Sequence, residues 1–375
     1  MFDSVDRDLF VELGDNEWSE LRNILKNESR CRATFYETTV DPLRIDGIWR
    51  PKLIPNEMWS EAEIALLLKA TLIKPTVHET GCSTFYPSCR VYHLSDLFIE
   101  SDEPTIIATD LLSDDLNRVT PWVDEAETLI ECIDFDRFPS DANILLLHSA
   151  HNAIGINIRR RCSNYNIVCS DRNPRSHAFM RFNEKINFGS RVTGFDHTSD
   201  EILANSTSKY DVIIATPPFA IQPSGEVEQE FKHSAGGPFG TIHVEAVLEV
   251  GKRCLRENGR LYSLAYDLGA NSKYKECSTR ITTMLESFGM NYSVHTLRNK
   301  KVWRIGENKR FSNPMPIRYA ISRLADPTYL ARERASFKVW EDWIEEELIQ
   351  RNDYKFLYYI AVEIKHQKNE TILPS

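Results

Sequence analysis

The stretch "DVIIATPPF", residues 211–219, runs as an apolar strand straight into two prolines and an aromatic ring. Proline has no N–H to donate and so cannot extend a central strand, while its ring fixes φ. Thr216, Pro217, Pro218 and Phe219 therefore form a stiff corner that offers a ring face to a planar substrate group. Other strand ends carry polar residues. His148, Ser149, Ala150, His151 and Asn152 follow "NILLL" (143–147), Asp171 follows "NIVCS" (166–170), and Asp196 follows "RVTGF". A carboxylate accepts two hydrogen bonds side by side, so an acid just past a second strand suits ribose hydroxyls. His148, His151 and His233 lack fixed ligand spacing and read as polar loop residues, so no metal site is expected.

These ends must be positioned by a sheet. From about residue 115 strands alternate with helical patterns: "NILLL" then "AIGINIRRRC", "NIVCS" then "RSHAFMRFNEKI" opened by Asn173-Pro174, and "DVIIA". After that comes a helix around "IHVEAVLEVGKRCLRE", closed by Asn258-Gly259, and the strand "RLYSLAY". Alternation of this kind predicts parallel βαβ units in a doubly wound α/β sheet. The tail strand "KFLYYIAVEI" (355–364) is expected to join as an antiparallel member. Thr120-Pro121 opens a further helix in "VTPWVDEAETLI", and Ser60 caps one in "WSEAEIALLLKATLI".

A net charge of −10 over 375 residues argues against a general duplex-DNA binder, which needs a large basic footprint. No apolar run is long enough to span a bilayer. The acidic start, "MFDSVDRDLF", is unlike a signal peptide, so a cytoplasmic location with the eight cysteines as thiols is expected. One basic segment interrupts the acidic chain. Residues 297–323 hold Lys300, Lys301, Arg304, Lys309 and Arg310 with Trp303, Phe311 and Tyr319 interleaved. It reads either as a site for an acidic or phosphorylated partner or as a solvated face balancing "EDWIEEEL" (341–348).

The order of these elements resembles the class I S-adenosylmethionine-dependent methyltransferases. The similarity is greatest to the branch of HemK-like glutamine methyltransferases and N6-adenine and rRNA guanine methyltransferases. "DVIIATPPF" resembles that branch's Asn-Pro-Pro-Tyr/Phe corner, "IVCSDRNPRSHAFMRFNEKIN" its second-strand segment, and "NGRLYSL" its turn into the fifth strand. The resemblance implies a mostly parallel seven-stranded sheet in residues 115–375 and a smaller N-terminal α+β accessory domain in residues 1–114. It implies S-adenosylmethionine as cofactor, with His148, Ser149, Ala150, Asn152, Asp171, Arg172 and Asp196 on the cofactor side. Thr216, Pro217, Pro218 and Phe219 would then face a methyl-accepting nitrogen of a small-molecule or peptide/protein substrate.

Two positions depart from the family pattern. Where the family's first loop reads Asp-Leu-Gly-Thr-Gly-Ser-Gly, residues 146–152 read "LLHSAHN", with side chains at all three glycine positions. Thr216 also stands in place of Asn, and its hydroxyl is shorter than a carboxamide. The alternatives are therefore a catalytically degenerate binding or scaffold subunit, or an enzyme using a different nucleotide. The glycine-bearing "FKHSAGGPFGTIH" (231–243) reads as a lid that leaves an acceptor slot against Phe219, or as an ordinary long connection.

Overall fold

A computed structural model describes residues 13–37, 43–45, 48–50, 53–54, 56–77, 83–94, 104–110, 119, 129–189, 194–195, 207–219, 221, 236–273, 279–289, 291–296, 315–316 and 342–365. The chain divides into two compact units. One comprises Met1–Trp122, Ser149–Ser163 and Asp171–Phe195; the other comprises Val123–His148, Asn164–Ser170 and Asp196–Ser375.

The first unit contains helices α1 (Asp15–Leu25), α2 (Glu61–Lys69), α3 (Ala153–Arg161) and α4 (Pro174–Phe188). Its longer strands pair as two antiparallel hairpins, β1 (Ile73–Val77) with β2 (Ser83–Pro87) and β3 (Arg90–Leu94) with β4 (Thr105–Thr109), and Leu43–Ile45 pairs antiparallel with Ile48–Arg50. Leu21, Leu25, Leu67, Leu72, Phe179 and Phe182 form its core. A two-stranded ribbon leaves an open edge of unpaired backbone groups. On β4 that edge is closed by side chains rather than by a strand. Asn183 accepts from the Ala108 N–H (2.7 Å) and donates to the Ala108 carbonyl (2.9 Å). Asn187, one helical turn on, does the same for Ile106 (3.0 and 2.6 Å). The i,i+4 spacing on α4 matches alternate residues of β4, since both recur on one face.

The second unit is built on strands β5 (Asn143–Leu147), β6 (Asn166–Ser170), β7 (Tyr210–Ala215), β8 (Leu255–Gly269), β9 (Asn291–Thr296) and β10 (Phe356–Lys365), with helices α5 (Ile242–Cys254) and α6 (Arg280–Phe288). Across the sheet they lie in the order β9-β10-β8-β7-β5-β6. β6, β5, β7 and β8 are parallel neighbours, and β10 runs antiparallel to both β8 and β9. This is the doubly wound, mostly parallel α/β sheet expected of a Rossmann-like methyltransferase fold, with the tail strand antiparallel. Met315–Pro316 adds a two-residue strand on the end of β10. Leu145, Leu147, Ile213, Ala215, Val247, Leu261, Leu285 and Ile360 form the core, so β5 and β7 read as apolar runs.

One boundary differs from the sequence reading. α5 ends at Cys254, and the Asn258-Gly259 pair expected to close it lies inside β8, where Asn258 has φ 64°. A register shift between Tyr210 and Val212 accompanies it, so the pair marks an irregular strand start rather than a helix stop. The "VTPWVDEAETLI" helix, His233 and the basic segment fall wholly or largely outside the described residues. No helix among the described residues is long and apolar enough to cross a membrane.

In the first unit, Ser60 caps α2 in a capping box with Glu63, as expected. Glu63 also takes both Nη groups of Arg30 at 2.8 Å. Those charge-assisted bonds hold its carboxyl down at about 2. A carboxyl depressed in the folded state contributes stability above its unfolded pKa and loses it as pH falls through the folded value. The urea midpoint should therefore drop between pH 4.5 and about 2, and Glu63→Gln should flatten that part of the drop. Identical pH profiles for the two proteins would remove this pair from the acid transition.

Candidate functional site

In an open α/β sheet, ligands bind outside the carboxyl ends of the strands where the strand order reverses. Here that point lies between β5 and β7, whose successors in the chain lead to opposite sides of the sheet. The residues following β5 have an unusual backbone. His148 has φ 56°, Ala150 φ 48° and Asn152 φ 61°. Those are the three positions at which the resembled loop carries glycine. A left-handed backbone costs an ordinary L-residue about 1–2 kcal/mol, and Asn the least.

Each turn of this loop is pinned. In the second unit, the Thr216 hydroxyl donates to the His148 carbonyl at 3.0 Å, and the Thr216 N–H reaches the Leu147 carbonyl at 3.3 Å. In the first unit, the Ala150 N–H donates to Asp171 Oδ2 (2.9 Å), and the Asn152 N–H donates to the Ser149 carbonyl (2.7 Å). The His151 carbonyl accepts from Asn183 Nδ2 (2.9 Å), and Asn152 Nδ2 donates to Glu184 Oε1 (2.8 Å). His151 is buried, and its Nδ1 accepts the Ala153 N–H at 3.3 Å, which requires the neutral Nε2–H tautomer. Burial brings its pKa down to about 4.

Asp171 is half-buried at the start of the turn into α4. Its second oxygen accepts the Asn173 N–H at 2.8 Å, and its carbonyl accepts from His177 Nε2 at 2.7 Å. Burial pushes its carboxyl above the ordinary range, opposed by the N–H groups of Asn173 and Ala150 and by His177. A carboxylate offers about four acceptor positions, and with the Ser176 hydroxyl donating beside the two N–H groups about one is left for a further donor. Arg172 follows it and is exposed. Asp196 lies outside the described residues.

At the end of β7, Pro217 and Pro218 are buried, while Thr216 and Phe219 are half-buried. The Phe219 ring meets Tyr266 of β8 edge-on, with centroids 4.6 Å apart. His148 and His243 are similarly disposed at 5.7 Å. Loop 236–241 lies directly on Phe219. A Cβ at Gly236 would come within 2.6 Å of the Phe219 carbonyl carbon, and one at Gly240 (φ 72°) within 2.6 Å of its oxygen. The loop therefore rests on the Phe219 backbone itself, with no gap between the two main chains there. Behind the loop, the Arg280 guanidinium stacks on Phe239 at 4.2 Å, and Arg280 Nε donates to Thr241 Oγ1 at 3.3 Å.

Sequence reading missed Asn183, Glu184, Tyr266 and Arg280. Only Asn183 carried a signal, as a polar residue on a helix face otherwise filled by Phe179, Phe182 and Ile186. Among the described residues no three His, Cys, Asp or Glu side chains converge as a metal site would require.

Because Ala150 sits at φ 48°, Ala150→Gly should raise unfolding stability by about 0.5–1 kcal/mol, against the usual penalty for glycine. A destabilisation of that size in urea would mean that the alanine methyl matters more than the backbone geometry.

No family model matches the chain, and no curated protein matches it. Solved structures that are similar include the precorrin-6y C5,15-methyltransferase of Geobacter metallireducens, at 13% identity. That match covers 64% of this chain and 88% of the other, with a TM-score of 0.32. Another is phosphoethanolamine N-methyltransferase 2 of Haemonchus contortus in complex with S-adenosyl-L-methionine, at 10% identity and a TM-score of 0.36. It covers 67% of this chain and 54% of that one. Likenesses this loose transfer no chemistry, and the fold stands on the sheet described above.

Proposed function

We propose that the chain is an S-adenosylmethionine-dependent methyltransferase acting on a nitrogen, amine or amide, of a small-molecule or peptide/protein substrate. The observation carrying this reading is the left-handed backbone at His148, Ala150 and Asn152 after the central strand β5. A chain with no need of that turn would relax it, since strain persists where its surroundings over-determine it and clusters at functional sites. The residues fit the cofactor. Asp171 keeps about one acceptor position for a ribose hydroxyl after its bonds to Ala150, Asn173 and Ser176. Residues 149–152 would hold the methionine end through backbone groups, with Arg172 and Asp196 as further cofactor-side residues.

When bound, the cofactor supplies an electrophilic methyl carbon on a sulfonium. The protein's work is then alignment and exclusion of water more than proton transfer. Pro217 and Pro218 stiffen the exit of β7 and fix the carbonyls on either side of them. Phe219, braced by Tyr266, presents a ring to the acceptor group. The Thr216 hydroxyl proton is engaged by the His148 carbonyl, so its remaining lone pairs can accept from an acceptor N–H. One observation favours the second reading, a cofactor-binding subunit without turnover: loop 236–241 closes on the backbone of Phe219. The acidic or phosphorylated partner of residues 297–323 remains part of the proposal, with salt-sensitive binding as its mark.

Calorimetric titration with S-adenosylmethionine and S-adenosylhomocysteine tests the reading. Both should bind, and Asp171→Ala should weaken both by about 1.5–3 kcal/mol, the scale of hydrogen bonds to a charged group. Phe219→Ala should leave both affinities nearly intact. Absence of binding to the wild-type protein would overturn the proposal, and binding unchanged by Asp171→Ala would move the nucleoside away from Asp171.

A further inference from the structure

We propose that Glu184 is the positioning residue of loop 149–152, holding Asn152 in the left-handed backbone that glycine would adopt unaided. Its bearing on ligand binding rests on the methyltransferase reading above. Three observations converge on it. Glu184 is fully buried at 0% exposure on α4, and a helix seldom buries a carboxylate without a specific partner. Its Oε1 accepts from Asn152 Nδ2 at 2.8 Å, and Asn152 is itself 1% exposed.

Asn152 also forgoes the role its position offers. It stands at the N-cap of α3, where an asparagine oxygen ordinarily accepts from an N–H of the first turn. Here it makes no side-chain cap bond, and His151 Nδ1 accepts the Ala153 N–H instead. The amide is turned to Glu184. The neighbouring α4 residue, Asn183, grips the preceding loop carbonyl, that of His151, at 2.9 Å. Consecutive residues of α4 thus hold consecutive residues of the loop. A helix side chain replaces what chain flexibility supplies in a glycine loop.

Asparagine tolerates positive φ better than most residues but still prefers other regions, so the amide's anchor selects the conformation. Glycine at 152 would need no anchor. The Glu184–Asn152 bond should therefore steady the loop backbone when residue 152 is asparagine and not when it is glycine.

The test is a double-mutant cycle read by amide hydrogen exchange at residues 150–153, alongside S-adenosylhomocysteine titration. Glu184→Ala should speed exchange in the loop about tenfold or more in the Asn152 protein and have little effect in Asn152→Gly. Ile106 and Ala108 on β4 report whether the rest of α4 stays in place, and their exchange should be unchanged. Glu184→Gln keeps an oxygen that can accept from Asn152 and should stay within about threefold of wild type. Should Glu184→Ala fail to fold, the pair is cut from the other side: Asn152→Ala should free the loop where Asn152→Gly does not. Equal acceleration by Glu184→Ala in both backgrounds, or none in either, would overturn the proposal and leave Glu184 as buried filler. Failure of the wild-type protein to bind S-adenosylhomocysteine would sink the methyltransferase reading instead, while the exchange data still decide the role of Glu184.

Discussion

Three left-handed, non-glycine residues in five, His148, Ala150 and Asn152, are the constraint around which the polar residues of this chain are arranged. At about 1–2 kcal/mol for an ordinary residue, such a turn would relax if nothing held it. Something holds each part. Thr216 takes the His148 carbonyl, Asp171 the Ala150 N–H, Asn183 the His151 carbonyl and Glu184 the Asn152 amide. Two buried polar residues of α4, Asn183 and Glu184, reach this loop, while Asn187 serves β4. Asn183 serves both the loop and the open edge of β4, so loss of that one amide would free both.

The corner after β7 is braced in a different way. Asp267, buried near the end of β8, accepts from the Thr279 hydroxyl and from the Ile281 N–H (3.2 Å), fixing the start of α6. Arg280, the first residue of α6, then stacks on Phe239 and bonds Thr241. That sets loop 236–241, whose glycines alone allow it to rest on Phe219. The chain of contacts fixes the Phe219 backbone, and Tyr266 meets its ring. It is the kind of support a positioned side chain needs to act reproducibly.

Much of this architecture is legible in the sequence, and the reasons are physical. In "NILLL" and "DVIIA", Ile144, Leu146, Val212 and Ile214 are buried as fully as Leu145, Leu147, Ile213 and Ala215, so the strands appear as unbroken apolar runs. Ser60 with Glu63, and Asn173 before Pro174, announce their helices because capping chemistry is local. The end of α5 is not legible. Leu255-Arg256-Glu257 suits helix or strand alike, and Asn258-Gly259 serves a strand irregularity as readily as a helix stop.

At the site, the acid at 171 and the Pro-Pro corner can be read because their chemistry depends on residue type. The left-handed turn cannot. Ala carries no preference for positive φ, and the enrichment of His and Asn there is too weak to single out a turn. The contacts that impose the turn come from residues more than twenty positions away. Glu184 looks in the sequence like an ordinary polar helix residue, since nothing local says that its position is buried.

The central claim is that this glycine-free turn keeps a glycine loop's backbone in order to receive a nucleoside cofactor. The most direct measurement is the backbone amide NMR spectrum of the wild-type protein titrated with S-adenosylhomocysteine. The account expects saturable shifts at Ser149, Ala150, Asn152, Asp171 and Arg172. A spectrum in which those amides stay fixed, whether the ligand perturbs other residues or none, would contradict it.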